Sequence, residues 1–231
     1  MKNDISKLFQ QDPKLFEVTA TPTSYVYKVN IDEACEHVSQ FADLVDALEQ
    51  AGEQDVFQIR LTTPGGSLDS VYPLISAMRN TDAFIHVHCD SMVASAGTLL
   101  MMCAHAVSFN EFISVMFHSV QGGSYGHQRN VDAQTAHFSA THDRLLRDLY
   151  KDFLTEDELE KLFFGMEYWF TPEECHERLK ARHEKQQQEV TEEELIEQFL
   201  KGNPDIVEQA TPKPKKEKRI KVPSTKKSVV E

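Results

Sequence analysis

Long apolar runs are missing from this sequence. Across its 231 residues the longest apolar stretches, Ala83–Val87 and Ala94–Ala106, are too short or too interrupted to supply the roughly 20 apolar residues of a bilayer-crossing helix. The opening segment MKNDISKLFQQDPKLF lacks the apolar core of a secretory signal, so a cytoplasmic protein is expected. Cysteine is scarce. Cys35, Cys89, Cys103 and Cys175 are widely spaced and form no C-x-x-C pair, which argues against a zinc site or disulfide framework and for buried, reduced thiols. His86 and His88 alternate on one stretch, but no third ligand lies near them in sequence, and neither a metal nor a cofactor is expected. Internal repeats are absent.

Positive charge is also scarce until the C-terminus. The chain's formal net charge is −13. Residues 211–231 hold eight Lys/Arg against two Glu, a net of +6, so the preceding 210 residues carry −19 by difference. An acidic body does not suit a nucleic-acid-binding domain, and no nucleic-acid or membrane partner is expected of it. The basic tail could touch an acidic partner, nucleic acid or its own body; its Pro/Lys composition reads first as a solvated, disordered segment.

What is present is enough apolar residue, 40%, for a sizeable core. Residues 1–22 read as an irregular lead-in, 23–190 as one domain, 191–210 as a short helical extension and 211–231 as the tail. Within the domain, Ser24–Asn30 and Asp55–Thr62 read as strands. Between them Asp32 is a plausible N-cap for a helix to Gln50. Leu68–Arg79 is expected to be a helix, Ala83–Cys89 a strand and Val93–Cys103 a small-residue helix. Ala106–Phe109 and Ile113–His118 follow as short strands. A long polar helix is expected over about Val131–Phe153 and another helix over Asp157–Phe164. Two helical pieces are expected after Pro172, the second filling Glu192–Leu200. Strand–helix alternation with short connections indicates α/β crossover units.

Three segments carry candidate chemistry. Thr63-Pro64-Gly65-Gly66 is a sharp turn directly after a strand, where glycines let backbone N–H groups approach a ligand. Ser91-Met92-Val93-Ala94-Ser95-Ala96-Gly97 sets a serine among small residues where a strand gives way to a helix. Val115-Met116-Phe117-His118, followed by Gly122-Gly123, ends an apolar strand on a histidine at the sheet rim. Each alone reads as an ordinary turn, close helix packing or a structural histidine. Together they supply a hydroxyl, a base and oxyanion donors, which serine needs to act as a nucleophile.

The combination, in this order, resembles the Clp protease proteolytic subunit. That family carries an S-P-G-G turn, an A-A-S-M-G nucleophile turn, a V-M-I-H-x-P-x-G-G segment, and an acidic residue before an aromatic run. The last appears here as Glu167-Tyr168-Trp169-Phe170-Thr171-Pro172-Glu173-Glu174-Cys175. The resemblance covers about residues 25–179, with a small deletion between Ala104 and Ile113. It implies an α/β, ClpP/crotonase-like spiral fold of repeated β-β-α units with a protruding handle strand and helix, beginning at Gln121–Gly126. It implies a serine endopeptidase with Ser95 as nucleophile, His118 as general acid/base and Glu167 in the place of the family's Asp. Gly66 and Ala96 would form the oxyanion hole, and Gly65, Gly122 and Gly123 would line the substrate groove. Asp143, Asp148 and Asp152 are weaker substitutes for Glu167. The implied partners are a polypeptide substrate, further copies in a homo-oligomeric ring (a heptamer or stacked heptamers) and an AAA+ unfoldase.

The chain also departs from that pattern. The family's Gly-Leu-Val-Asp strand is replaced by Arg178–Gln188, which looks helical, and the tail is additional. Such divergence is similar to that of phage-encoded Clp-like peptidases, for which the compartment would be the host cytoplasm. Two other readings stay open: a catalytically impaired ring subunit or scaffold, and a crotonase-like acyl-CoA enzyme, against which the Ser95/His118 pairing speaks.

Overall fold

Strand β3 (Val56–Thr63) shows the rule on which the fold is built. Phe57, Ile59, Leu61 and Thr63 are buried, while Gln58 and Arg60 face solvent. This period-two pattern fits a sheet with one covered face. The protein is described by a computed structural model over residues 16–20, 24–122 and 125–202, with backbone alone for 16–20 and 190–202. Among the described residues seven strands form one sheet. Around β3 lie β1 (Phe16–Ala20), β2 (Tyr25–Ile31), β4 (Phe84–Ala94), β5 (Ala106–Phe109), β6 (Ser114–Phe117) and β7 (Tyr168–Phe170). Their order is β1-β2-β3-β4-β6-β7, with β5 also on β4. The inner pairs are parallel and the two outermost, β1·β2 and β6·β7, are antiparallel.

Three helices cover the apolar face. Helix α1 (Ala42–Gln50) buries Leu44 and Leu48, and α2 (Leu68–Asn80) buries Val71, Leu74, Ile75 and Met78. Every residue of α3 (Ala96–Met102) is buried. The opposite face is polar: Arg60 pairs with Asp90, and His86 and His88 both hydrogen-bond the Ser108 hydroxyl, at 2.9 and 2.8 Å. Cys35, Cys89 and Cys175 are buried free thiols, and Cys103 is half-buried. No helix among the described residues is long and apolar enough to cross a membrane.

Several boundaries differ from the sequence expectation. Residues 16–20, read within an irregular lead-in, form β1 against β2. The helix expected from Asp32 begins only with a 3-10 turn at Val38, then α1. Residues 32–37 are held out of it because Cys35 bridges to the Gly66 turn: its N–H donates to the Gly65 carbonyl, and its carbonyl accepts from Ser67 N–H, each at 2.8 Å. Strand β4 runs past Cys89 to Ala94, because Met92–Ala94 find a second partner in β6 beyond the end of β5. Helices α4 (Gln128–Tyr150) and α5 (Glu156–Phe163) are near their expected places. A single helix α6 (Pro172–Gly202) replaces the two pieces expected there. The described part of the Gln121–Gly126 segment contains no strand, in contrast to the expected handle strand. The chain divides into two units, residues 1–185 and 186–231. The second contains α6 from Gln186 to Gly202, and the basic tail lies outside the described residues.

Arg178 of α6 fastens the last strand. Its guanidinium donates to both Glu158 carboxylate oxygens, at 2.9 and 2.7 Å, and to the Phe153 carbonyl at 2.8 Å, and lies 4.4 Å over the Phe170 ring. Glu158 also completes a capping box with Thr155 at the start of α5. The Arg178 bonds, ahead of the capping contacts, hold the Glu158 carboxyl below its ordinary range. A depressed carboxylate contributes stability that is present above its unfolded pKa and is lost as pH falls through the folded one. Arg178→Ala is therefore expected to lower stability by about 2–3 kcal/mol at neutral pH. The deficit should shrink as pH falls below the ordinary glutamate pKa of about 4.3 and on through the lowered folded value, where Glu158 becomes protonated. Urea unfolding of both proteins at pH 7 and pH 3.5 measures this.

Candidate active site

The site forms where two turns meet. The first follows β3: Gly65 and Gly66 have φ of 98° and 147°. A Cβ on Gly65 would lie 2.6 Å from Ser95 Cβ and 2.8 Å from the Ala94 carbonyl oxygen, so the approach requires glycine. The second turn joins β4 to α3 at Ser95, whose φ of 54° and ψ of −123° fall in a strained region. Ser95 N–H donates to the Met116 carbonyl at 3.0 Å, which ties the turn to β6. Gly97 packs into Thr63: a Cβ there would meet Thr63 Cγ2 at 2.4 Å.

Although Ser95 occupies the N-cap of α3, its side chain caps nothing. A serine at such a position commonly accepts from the N2 or N3 amide. Here the strained strand-to-helix turn frees its hydroxyl, an arrangement also seen at nucleophile elbows. Ala96 is the first residue of α3, and its N–H therefore has no intrahelical partner. Gly66 is the parallel-bridge partner of Cys35, which bonds to residues 65 and 67 on either side. In that pattern the N–H of Gly66 itself points away from Cys35. The structure thus leaves two uncommitted amides on the turns that meet at Ser95.

His118 directly follows β6. Phe117 anchors it among Tyr150, Phe153 and Phe170, with ring centroids 4.9, 4.9 and 5.6 Å away. Ser95, His118, Gly66 and Gly122 line one cavity of about 610 Å³, whose wall continues along α4 through Phe138, His142 and Asp143. The hydroxyl and the imidazole share this wall without a hydrogen bond between them. His118 Nδ1 is buried with no hydrogen-bond partner. Burial pushes the imidazole below the ordinary histidine pKa, and the Glu167 carboxylate partly offsets that shift.

Glu167 is exposed and lies outside the cavity lining. Strand β7 pairs Tyr168 with Phe117, Trp169 with Met116 and Phe170 with Val115. One further step of that antiparallel register sets Glu167 opposite His118. Of the substitutes, Asp148 is held by Arg79 and Asp152 by Lys185, while Asp143 lines the cavity. Gly65 lies behind Ser95 rather than in the cavity wall, and Gly123 falls outside the described residues. Sequence reasoning missed Cys35, Thr98 and Tyr150 as supports. It also missed β7, although Tyr168-Trp169-Phe170 is a run of strand-favouring aromatics.

A largely parallel α/β sheet with a serine and a histidine at the carboxyl ends of the adjacent strands β4 and β6, on one cavity wall, has the form of a hydrolase site. Residues 26–178 match the Clp protease family, and the chain belongs to it. At the level of the family it is a Clp-type peptidase with the Clp-type fold. No curated protein matches the chain.

The meeting of the turns can be tested without reference to activity. Gly65→Ala is expected to destabilise the protein on the order of 3 kcal/mol, combining overpacking with a left-handed φ. Gly52→Ala meets no atom within 4 Å and is the control. Thermal unfolding of the two variants should separate them, and equal melting points would contradict the close approach.

Proposed function

We propose that the chain is a serine endopeptidase that hydrolyses unfolded or extended polypeptides through an acyl-enzyme. The observation that carries this reading is Ser95: a serine at a strained strand–helix turn, with its hydroxyl unused in capping, on the same cavity wall as His118. In the proposed reaction the Ser95 hydroxyl oxygen attacks the scissile carbonyl carbon and His118 accepts the hydroxyl proton. The amides of Gly66 and Ala96 stabilise the oxyanion. His118 then passes the proton to the leaving amine as the peptide C–N bond breaks. Water, deprotonated by the same imidazole, hydrolyses the ester and regenerates Ser95.

Glu167 is the third member of the proposed triad. Its register position opposite His118 and its upward pull on the imidazole support this, and the orphaned Nδ1 is the atom such a carboxylate would accept from. A modest side-chain rearrangement is part of the proposal. Apo hydrogen bonds in active sites are often long and tighten only around substrate. The same orphaned Nδ1 favours a second reading, a catalytically impaired ring subunit. The substrate would lie extended past Gly122, which lines the cavity beside Ser95 and His118. The family resemblance supports a homo-oligomeric ring, heptameric or of stacked heptamers, fed by an AAA+ unfoldase.

Turnover of a fluorogenic peptide and labelling by a fluorophosphonate test the proposal. Both should vanish in Ser95→Ala and fall at least about 10³-fold in His118→Ala. An assembled wild-type protein that takes no label would establish the second reading instead.

The pH profile tests Glu167. Because His118 titrates below the ordinary value of about 6.5, the acid limb of kcat/KM should fall below that pH. Glu167→Gln removes the one influence that raises the pKa. It should therefore move the limb further down and lower kcat, while Glu167→Asp should keep or raise it. Identical profiles for wild type and Glu167→Gln would remove Glu167 from the site.

A further inference from the structure

Ser95 is held by more than its turn. Its carbonyl oxygen accepts two hydrogen bonds from Thr98: one from the backbone N–H at 2.9 Å and one from the side-chain hydroxyl at 2.7 Å. The Thr98 hydroxyl oxygen lies 2.7 Å from the Tyr150 hydroxyl. A threonine hydroxyl has one proton to give, and the Ser95 carbonyl can only accept. The direction is thereby settled: Tyr150 O–H donates to Thr98, and Thr98 O–H donates to the Ser95 carbonyl. Both side chains are buried, with Thr98 at 0% and Tyr150 at 1% exposure.

The Ser95 carbonyl belongs to the same planar peptide unit as the Ala96 N–H. In a trans peptide the two point in opposite directions, so a pull on one aims the other. The backbone at Ser95 is strained and would relax if released. We propose that Thr98 and Tyr150 are positioning residues. Their two hydroxyls hold the 95–96 peptide plane so that the Ala96 amide stays directed at the oxyanion. The inference rests on the reading of Ser95 as nucleophile and adds to it a pair of residues that act through the Ser95 carbonyl; Tyr150, though buried, also backs the wall of the cavity.

The relay also links the site to α4. Tyr150 is the last residue of that helix, and its ring packs edge-on against Phe117, the residue before His118. One side chain thus reaches the nucleophile's turn through its hydroxyl and the base's strand through its ring. A shift of the α4 C-terminus would reach both. The sequence offered only a faint signal: a threonine three residues after the serine, within the first turn of a helix.

The test uses substitutions that keep shape and remove only hydroxyls. Tyr150→Phe keeps the ring against Phe117, Thr98→Val keeps the branched volume, and Thr98→Ser keeps the donor. Loss of a whole oxyanion donor costs about 10²–10³-fold in kcat, and a misaimed one less. Thr98→Val is expected to lower kcat on a fluorogenic peptide about tenfold with KM unchanged. Tyr150→Phe should lose about fivefold, and Thr98→Ser should stay within about twofold of wild type. Because the hydroxyls act in series, the double variant should be no slower than Thr98→Val alone. Wild-type kcat in both folded single variants, or losses that multiply in the double variant, would overturn the relay. A wild type that a fluorophosphonate does not label would withdraw the nucleophile and the relay together. A labelled wild type with unimpaired variants would withdraw the relay alone.

Discussion

Two backbone turns, Thr63–Gly66 and Ala94–Gly97, approach until side chains no longer fit between them. Gly65 abuts Ser95 Cβ and Gly97 abuts Thr63 Cγ2, so glycine is required on each side. The rest of the site depends on this contact. It sets the Gly66 amide beside the Ser95 turn, and it fixes where α3 leaves β4. The unusual φ/ψ at Ser95, which costs on the order of 1–3 kcal/mol, persists because neighbours hold it from every side. Met116 accepts from its N–H, Thr98 grips its carbonyl and Gly65 lies against its Cβ. Cys35 has a matching role for the other turn, bonding on both flanks of Gly66.

His118 is held by different means. No hydrogen bond fixes its ring, and its placement comes from Phe117, packed among Tyr150, Phe153 and Phe170. That cluster is closed from the far side by Arg178, which stacks on Phe170 and clamps Glu158. Apolar packing thus positions the base, and backbone geometry positions the nucleophile. The two supports meet at Tyr150, whose ring belongs to the first and whose hydroxyl belongs to the second.

Tyr25–Ile31 and Val56–Thr63 were legible in the sequence from alternating or strand-favouring residues, and Ala106–Phe109 from a short apolar run; all three fall within a residue or so of expectation. Local pattern failed where tertiary contacts overrule it. Asp32–His37 has helical spacing, but Cys35 is drawn into a bridge 31 residues away in sequence. Val93 and Ala94 look like the start of a helix, but their backbone pairs with β3 and β6. The candidate site was legible as a set of three motifs, and the structure brings Gly66, Ser95, His118 and Gly122 to one cavity. The supporting hydroxyls were not, because Thr98 and Tyr150 are common residues whose meaning lies in a contact spanning 52 positions.

The central claim is that Ser95, His118 and two amides act on one carbonyl. The most direct measurement is a crystal structure of the protein after reaction with a peptidyl phosphonate. The account predicts a phosphorus–oxygen bond to Ser95 Oγ. It also predicts a phosphoryl oxygen roughly 2.7–3.1 Å from the amide nitrogens of Gly66 and Ala96, with the His118 ring beside the ester. An adduct on another residue, or one on Ser95 whose phosphoryl oxygen turns away from both amides, would contradict it.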